Sequence, residues 1–333
     1  MDVTGKLPLG FLTTGPGARV SRDYLIPEAL LRPQELAWQQ SFDHPRRTMY
    51  QTPAALRAIA MALERPHLII CGLSALAIYG LPFFADCNDT TLYGPVRAGQ
   101  RATQFTPLVL RRPPGRQWSV FFGDHALRVS PPVVAVVETL RLLRRNTYSW
   151  QVHPIAGFKE VEIKAIQLID ATRRHLGLTP AEIREAGRGR VDNRWLKKMC
   201  GLSSELTDSP KETEMRLLIS GLCAELGVEL TEQVTLSYEG RIVTVFDLAI
   251  PEYHIALMYD GEHHLHRRQR DRDSRINIES ALLGWTVIRV TAGSLTSIKD
   301  YVERAVGIAR AKVRTATESG AAPEEKRAGS GPA

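Results

Sequence analysis

Two aspartates carry the clearest chemical signal in this sequence. Asp247 interrupts an apolar run, Val245-Phe246-Asp247-Leu248-Ala249-Ile250, and Asp260 closes a second, Ile255-Ala256-Leu257-Met258-Tyr259-Asp260, just before Gly261. A carboxylate in an apolar strand is costly to bury unless it is paired or bound to a cation. Side chains alternate along a strand, so Met258 and Asp260 share a face. Pairing of the two runs brings Asp247 and Asp260 towards one sheet end, where Glu212 or Glu214, on the preceding helix, adds a third oxygen donor. Such a cluster suits a hard divalent ion, Mg²⁺ foremost, which orients water and offsets charge building up on a phosphate. The alternative, which the spacing alone favours, makes Asp260-Gly261 a plain turn and pairs Asp247 with an arginine.

Two further clusters flank these strands. His263-His264-Leu265-His266 brings imidazoles together, but zinc sites draw ligands from separated segments and no cysteine lies near in sequence. Arg267, Arg268, Arg270, Arg272 and Arg275 follow at once, interleaved with Asp271 and Asp273. They form either a solvated helix face with weak neighbouring ion pairs or a surface that tracks phosphates. Upstream, the basic stretch from Gly187 to Lys198 around Trp195 reads as a solvated helix face with one buried tryptophan, the alternative being a surface that contacts phosphates.

The elements that must position these groups are legible in the periodicity. Lys211 to Leu226 has the spacing of an amphipathic helix closed by Gly227, and strands follow at Glu229 to Leu236, Arg241 to Ile250 and Tyr253 to Asp260. A polar helix, Arg267 to Leu283, ends at Gly284, and Trp285 to Val290 and Thr296 to Val313 read as a last strand and helix. The strand-helix-strand order at the end predicts a mixed sheet flanked by helices. Earlier in the chain, helices are expected from Thr52 to Glu64, Ser74 to Tyr79 with Ser74 as cap, Val133 to Leu143, Val161 to His175, and Pro180 to Ala186 with Thr179 as cap. Strands are expected at Thr90 to Tyr93, Thr106 to Arg111 and Trp118 to Phe122.

The order of Ser209-Pro210, Glu212-Thr213 and Arg216, then Phe246-Asp247-Leu248-Ala249 with Pro251, Tyr259-Asp260-Gly261 with His264, Arg272-Asp273, and Gly284-Trp285 with Arg289-Val290-Thr291 resembles one family. It is similar to the Vsr-like endonuclease domain of the PD-(D/E)XK superfamily, over about a third of the chain. The resemblance implies a restriction-endonuclease-like fold and metal-dependent hydrolysis of DNA. Asp247 and Asp260 would hold Mg²⁺, Glu212 would assist, and His264 would act as an acid or contact the scissile phosphate. Arg267, Arg268, Arg270 and Arg272 would then contact the nucleic acid. The family usually has Glu two residues before the Asp of its Asp-Gly pair, where this chain has Met258. A thioether is soft and uncharged and cannot replace an oxygen ligand for Mg²⁺. The departure leaves a second expectation open: a catalytically inactive DNA-binding or antitoxin-like regulatory protein that keeps the nuclease fold, without a bound metal. Leu73 to Pro82 is similar to a segment of AbiEi-like antitoxins of toxin–antitoxin systems, which implies a possible protein partner.

The wider composition sets the frame. The 333 residues carry a net charge of +7, which leans towards an anionic partner such as DNA. The four cysteines, Cys71, Cys87, Cys200 and Cys223, are scattered, as expected of reduced packed thiols in a cytoplasmic protein. No apolar run approaches the ~18 residues of a membrane span. The expected organisation is α+β: a loop-rich segment over 1–50, a mixed helical and β domain over 51–205, a nuclease-like domain over 206–315, and a disordered tail over 316–333.

Overall fold

The structure, a computed structural model, describes residues 16–96, 101–111, 115–261 and 267–318, with the backbone alone for 267–272. The chain divides into two compact units, Met1–Thr213 and Glu214–Ala333.

The first unit opens with a small antiparallel pair, β1 (Ala18–Arg19) and β2 (Leu25–Ile26), followed by α1 (Gln34–Ser41) and α2 (Ala54–Leu63). Its main sheet joins β3 (Ile69–Ile70), β4 (Thr91–Tyr93), β5 (Leu108–Leu110), β6 (Trp118–Phe122) and β7 (His125–Val129) in the order β5-β4-β3-β7-β6. The remaining helices are α3 (Gly72–Ile78), α4 (Pro132–Leu143), α5 (Glu160–Leu176), α6 (Pro180–Gly187) and α7 (Asn193–Gly201). Thr179 caps α6 as its sequence demands: its hydroxyl accepts the Glu182 N–H, and the Glu182 carboxylate reaches back to the Thr179 N–H.

Three local readings need correction. Helix α3 starts at Gly72, two residues before Ser74, because the Ser74 hydroxyl instead accepts the Thr91 N–H at 2.9 Å. Gly72 sits at φ +54°, and its N–H donates to Glu138 across the fold. Strand β7 was not expected; it pairs antiparallel with β6, Val120 opposite Leu127. The last helix also runs further than its periodicity indicated, as given below. The four cysteines are all free and buried.

In the second unit, α8 (Pro210–Leu226), which begins at the end of the first, leads into β8 (Thr231–Tyr238), β9 (Arg241–Ile250) and β10 (Ile255–Tyr259). Helix α9 (Arg267–Leu282) crosses to β11 (Thr286–Val290), and α10 (Ile298–Glu318) ends the described chain. The sheet order is β11-β10-β9-β8, with β8, β9 and β10 antiparallel and β10 parallel to β11. This is the expected mixed sheet flanked by helices, in an α+β protein.

Both faces of the sheet are covered for clear reasons. Ala256, Met258 and Val287 join an apolar cluster with Leu236, Val243, Phe246, Leu283 and Trp285. In α10, Ile298, Val302 and Val306 recur every four residues and are buried. Among the described residues, no helix is long and apolar enough to cross a membrane.

Candidate functional site

The expected site lies at the C-terminal end of β10. The β9–β10 ladder runs from Ile255 opposite Ile250 to Leu257 opposite Leu248 and stops there. Beyond it the Asp247 side chain replaces the backbone ladder: Tyr259 N–H donates to Asp247 Oδ2 at 2.6 Å. One residue further, the Asp260 N–H donates to the Val290 carbonyl at 2.7 Å, extending the parallel pairing to β11. The Asp247 side chain therefore contacts β10 at the residue just before Asp260.

Each carboxylate has a protein partner there. Met258 pairs in register with Arg289 of β11, and Asp260 follows Met258 by two residues. The Arg289 guanidinium reaches across to Asp260, with Nη1 donating to Oδ1 at 2.7 Å. Its Nε donates to Asn277 Oδ1 at 3.0 Å, and Nη2 lies 3.5 Å from Asp273 Oδ1. Both side chains of the Arg289–Asp260 pair are only 20% exposed, so solvent screens the pair incompletely. Arginine suits such a place because its planar fork serves several acceptors at once.

Met258 contributes its thioether to the apolar cluster beside Phe246 and Trp285, whose rings lie 5.0 Å apart. Glu212 stands at the start of α8. There the Ser209 hydroxyl and the Asp208 N–H both donate to its carboxylate, at 2.9 Å each, and the Ser209 oxygen accepts the Glu212 N–H. That arrangement closes the first turn of a helix whose leading N–H groups have no partner within it. Replacing Glu212 with Ala should lower stability by about 1 kcal/mol, and Gln should recover most of it, read as a shift in denaturant midpoint. An unchanged midpoint would show that the carboxylate is not needed as a cap. Glu214, the other helix acid considered, is fully buried.

His264 lies outside the described residues. Arg267, Arg268, Arg270 and Arg272 occupy the opening turns of α9, where only the backbone is described. The expected disordered tail falls largely outside the described residues, although α10 continues through Glu318.

Sequence reasoning gave Arg289 and Asn277 no role at this site and read Asp273 only as a neighbour of the helix arginines. A signal was present: Arg289 is the one charged residue in Thr286–Val290, and a lone cation in an apolar strand requires counter-charge. Comparison with protein-family models, curated proteins and solved structures found no match to this chain.

Proposed function

We propose that the second unit is a DNA-binding module of nuclease-like design that does not hydrolyse its ligand. The observation that carries this reading is the 2.7 Å bond from Arg289 to Asp260, which commits to an ion pair the carboxylate expected to bind metal. The remaining donors are a poor fit for Mg²⁺, which demands near-octahedral oxygen coordination. Asp247 holds the Tyr259 N–H, Met258 offers sulfur already packed among apolar side chains, and Glu212 caps a helix.

DNA is the partner supported by the four arginines, Arg267, Arg268, Arg270 and Arg272, concentrated at the start of α9. Their role is to contact phosphates, which positions a duplex without reading its sequence.

The test pairs plasmid nicking in Mg²⁺ or Mn²⁺ with fluorescence anisotropy of a labelled duplex between about 50 and about 200 mM salt. The full chain should nick nothing. Binding should weaken as salt rises, and each of the four arginines changed to Ala should flatten the log–log slope by about 0.9. Metal-dependent nicking abolished by Asp247→Ala would overturn the non-hydrolytic reading. Binding that ignores salt would overturn the phosphate contacts. Met258→Glu separates the cases further: it should cost about 2 kcal/mol or more by placing a carboxylate in an apolar cluster, with no gain of cleavage. Cleavage gained by that variant would mean that the site lacks only one ligand.

A further inference from the structure

The second unit has a groove that the site at Asp260 does not use. It encloses about 540 Å³ between β11 and α10, with Tyr253, His254, Thr286, Ile288, Tyr301 and Ile308 in its walls. Two features make it unlike an ordinary surface cleft.

The first is the strand that borders it. Strand β11 ends the sheet order, so one side of its backbone has no neighbouring strand among the described residues. In a parallel pair, alternate residues direct both backbone groups to the partner strand. The Thr286 N–H donates to the His254 carbonyl, and the Val290 carbonyl accepts from Asp260. Thr286, Ile288 and Val290 therefore face β10, and Val287 and Arg289 turn their N–H and C=O groups outward. Such an edge is a template for one more strand.

The second is the helix wall. Ile298, Val302 and Val306 already form the buried stripe of α10. Tyr301 and Ile308 make a second apolar stripe, each 53% exposed, with Ala305 and Ala309 beside them. A surface helix that buries one stripe does not need another for its own fold. Along this wall stand Arg304 and Lys312, neither ion-paired among the described residues, against the single acid Glu252.

We propose that this groove binds an extended segment of a partner protein, added to β11 as a fifth strand, whose side chains on the face turned to α10 include both apolar groups and carboxylates. The outward backbone groups of Val287 and Arg289 supply the main-chain bonds, the stripe of Tyr301 and Ile308 receives the apolar side chains, and Arg304 and Lys312 meet the carboxylates. Charge selects this occupant over a second copy of the chain. A twofold pairing of β11 edges would set Arg304 and Lys312 against their own counterparts. The chain's own ends also lack the required pattern: Met1 to Gly15 has a single acid, and Ser319 to Ala333 balances Glu324 and Glu325 with Lys326 and Arg327 and has no large apolar residue.

The experiment measures anisotropy of two fluorescein-labelled ten-residue peptides against the full chain, both with threonine at even positions and valine at positions 3 and 7, one with glutamate and one with lysine at positions 1, 5 and 9. The glutamate peptide should bind about tenfold more tightly or better. The double charge reversal Arg304→Glu with Lys312→Glu, both at exposed positions, should invert that preference. Methylating alternate amide nitrogens of the glutamate peptide, on the side that meets β11, should abolish binding, whereas methylating the other set should not. Equal binding of the two peptides, indifference to the charge reversal, or no binding at the solubility limit would each overturn the proposal. A concentration-dependent dimer disrupted by the same reversal would assign the groove to a second copy instead.

Discussion

Replacing Arg57 with Ala should destabilise the first unit by about 4 kcal/mol, among the largest losses open to a single substitution in this protein. Arg57 is 1% exposed in a helix whose residues from Ala54 to Ala62 are all buried. Its guanidinium donates to the carbonyls of Thr52, Ala85, Asp86 and Asn88, at 3.0 to 3.2 Å, and lies 3.8 Å over the Tyr50 ring. Burial pulls its pKa down, against the attraction of Tyr50 and Asp86. Ala would leave four buried carbonyls without their donor and open a cavity, both costly. Lys keeps the charge but cannot fork to four acceptors, so it should recover only part of the loss. Equilibrium denaturation checks this. A midpoint for Arg57→Ala within about 1 kcal/mol of the parent would mean that water replaces the guanidinium at no great cost.

The second large effect depends on pH. The Glu138 carboxylate is buried beneath α3, where it accepts the Gly72 N–H at 3.0 Å and the Ser130 hydroxyl at 3.1 Å. Burial is the dominant influence and lifts its pKa from 4.5 to about 7, against the lowering effect of those two hydrogen bonds. The folded chain therefore holds a proton that the unfolded chain releases between pH 4.5 and about 7. The stability from this group is complete below pH 4.5 and declines as pH rises through 7, a loss of about 3 kcal/mol by pH 8. Glu138→Gln removes the titration while its amide can still accept from Gly72 and donate to Ser130. The variant should match the parent near pH 4.5 and exceed it at pH 8 by up to that amount. Stability curves of parent and variant that stay parallel across this range would show that Glu138 titrates like an exposed carboxyl.

These two residues also show where the sequence is a poor guide. Helical spacing from Thr52 to Glu64 gives the helix, but it suggests a polar face for Arg57. Only the loop at Ala85 to Asn88, about thirty residues away, reveals that the helix is enclosed on all sides and the cation is internal. Ser74 has the chemistry of a cap, yet the Thr91 N–H of β4 competes for its hydroxyl and wins. By contrast, Thr179 and Glu182 cap α6 from four residues of local sequence and need no distant partner. The C-terminal sheet was legible for the same reason, since its strands alternate and its helices end at Gly227 and Gly284, both with positive φ.

At the candidate site, the sequence shows that Asp247 and Asp260 share one strand end. It does not show which partner each takes. Register pairs Met258 with Arg289, on strands separated by a whole helix, and that alignment delivers the guanidinium to Asp260. Met258 itself could be read either as a missing ligand or as a core residue; its place beside Phe246 and Trp285 is a matter of packing.

The crossover through α9 has a consequence for how the protein is made. Asp260 and Arg289 are 29 residues apart, and synthesis delivers β8, β9 and β10 well before the final strand. Until β11 leaves the ribosome, β10 is itself the sheet's bare margin, with Ile255, Ala256 and Leu257 lacking their last neighbour. A chain cut before Thr286 would leave that margin open and yield a sticky, aggregation-prone product.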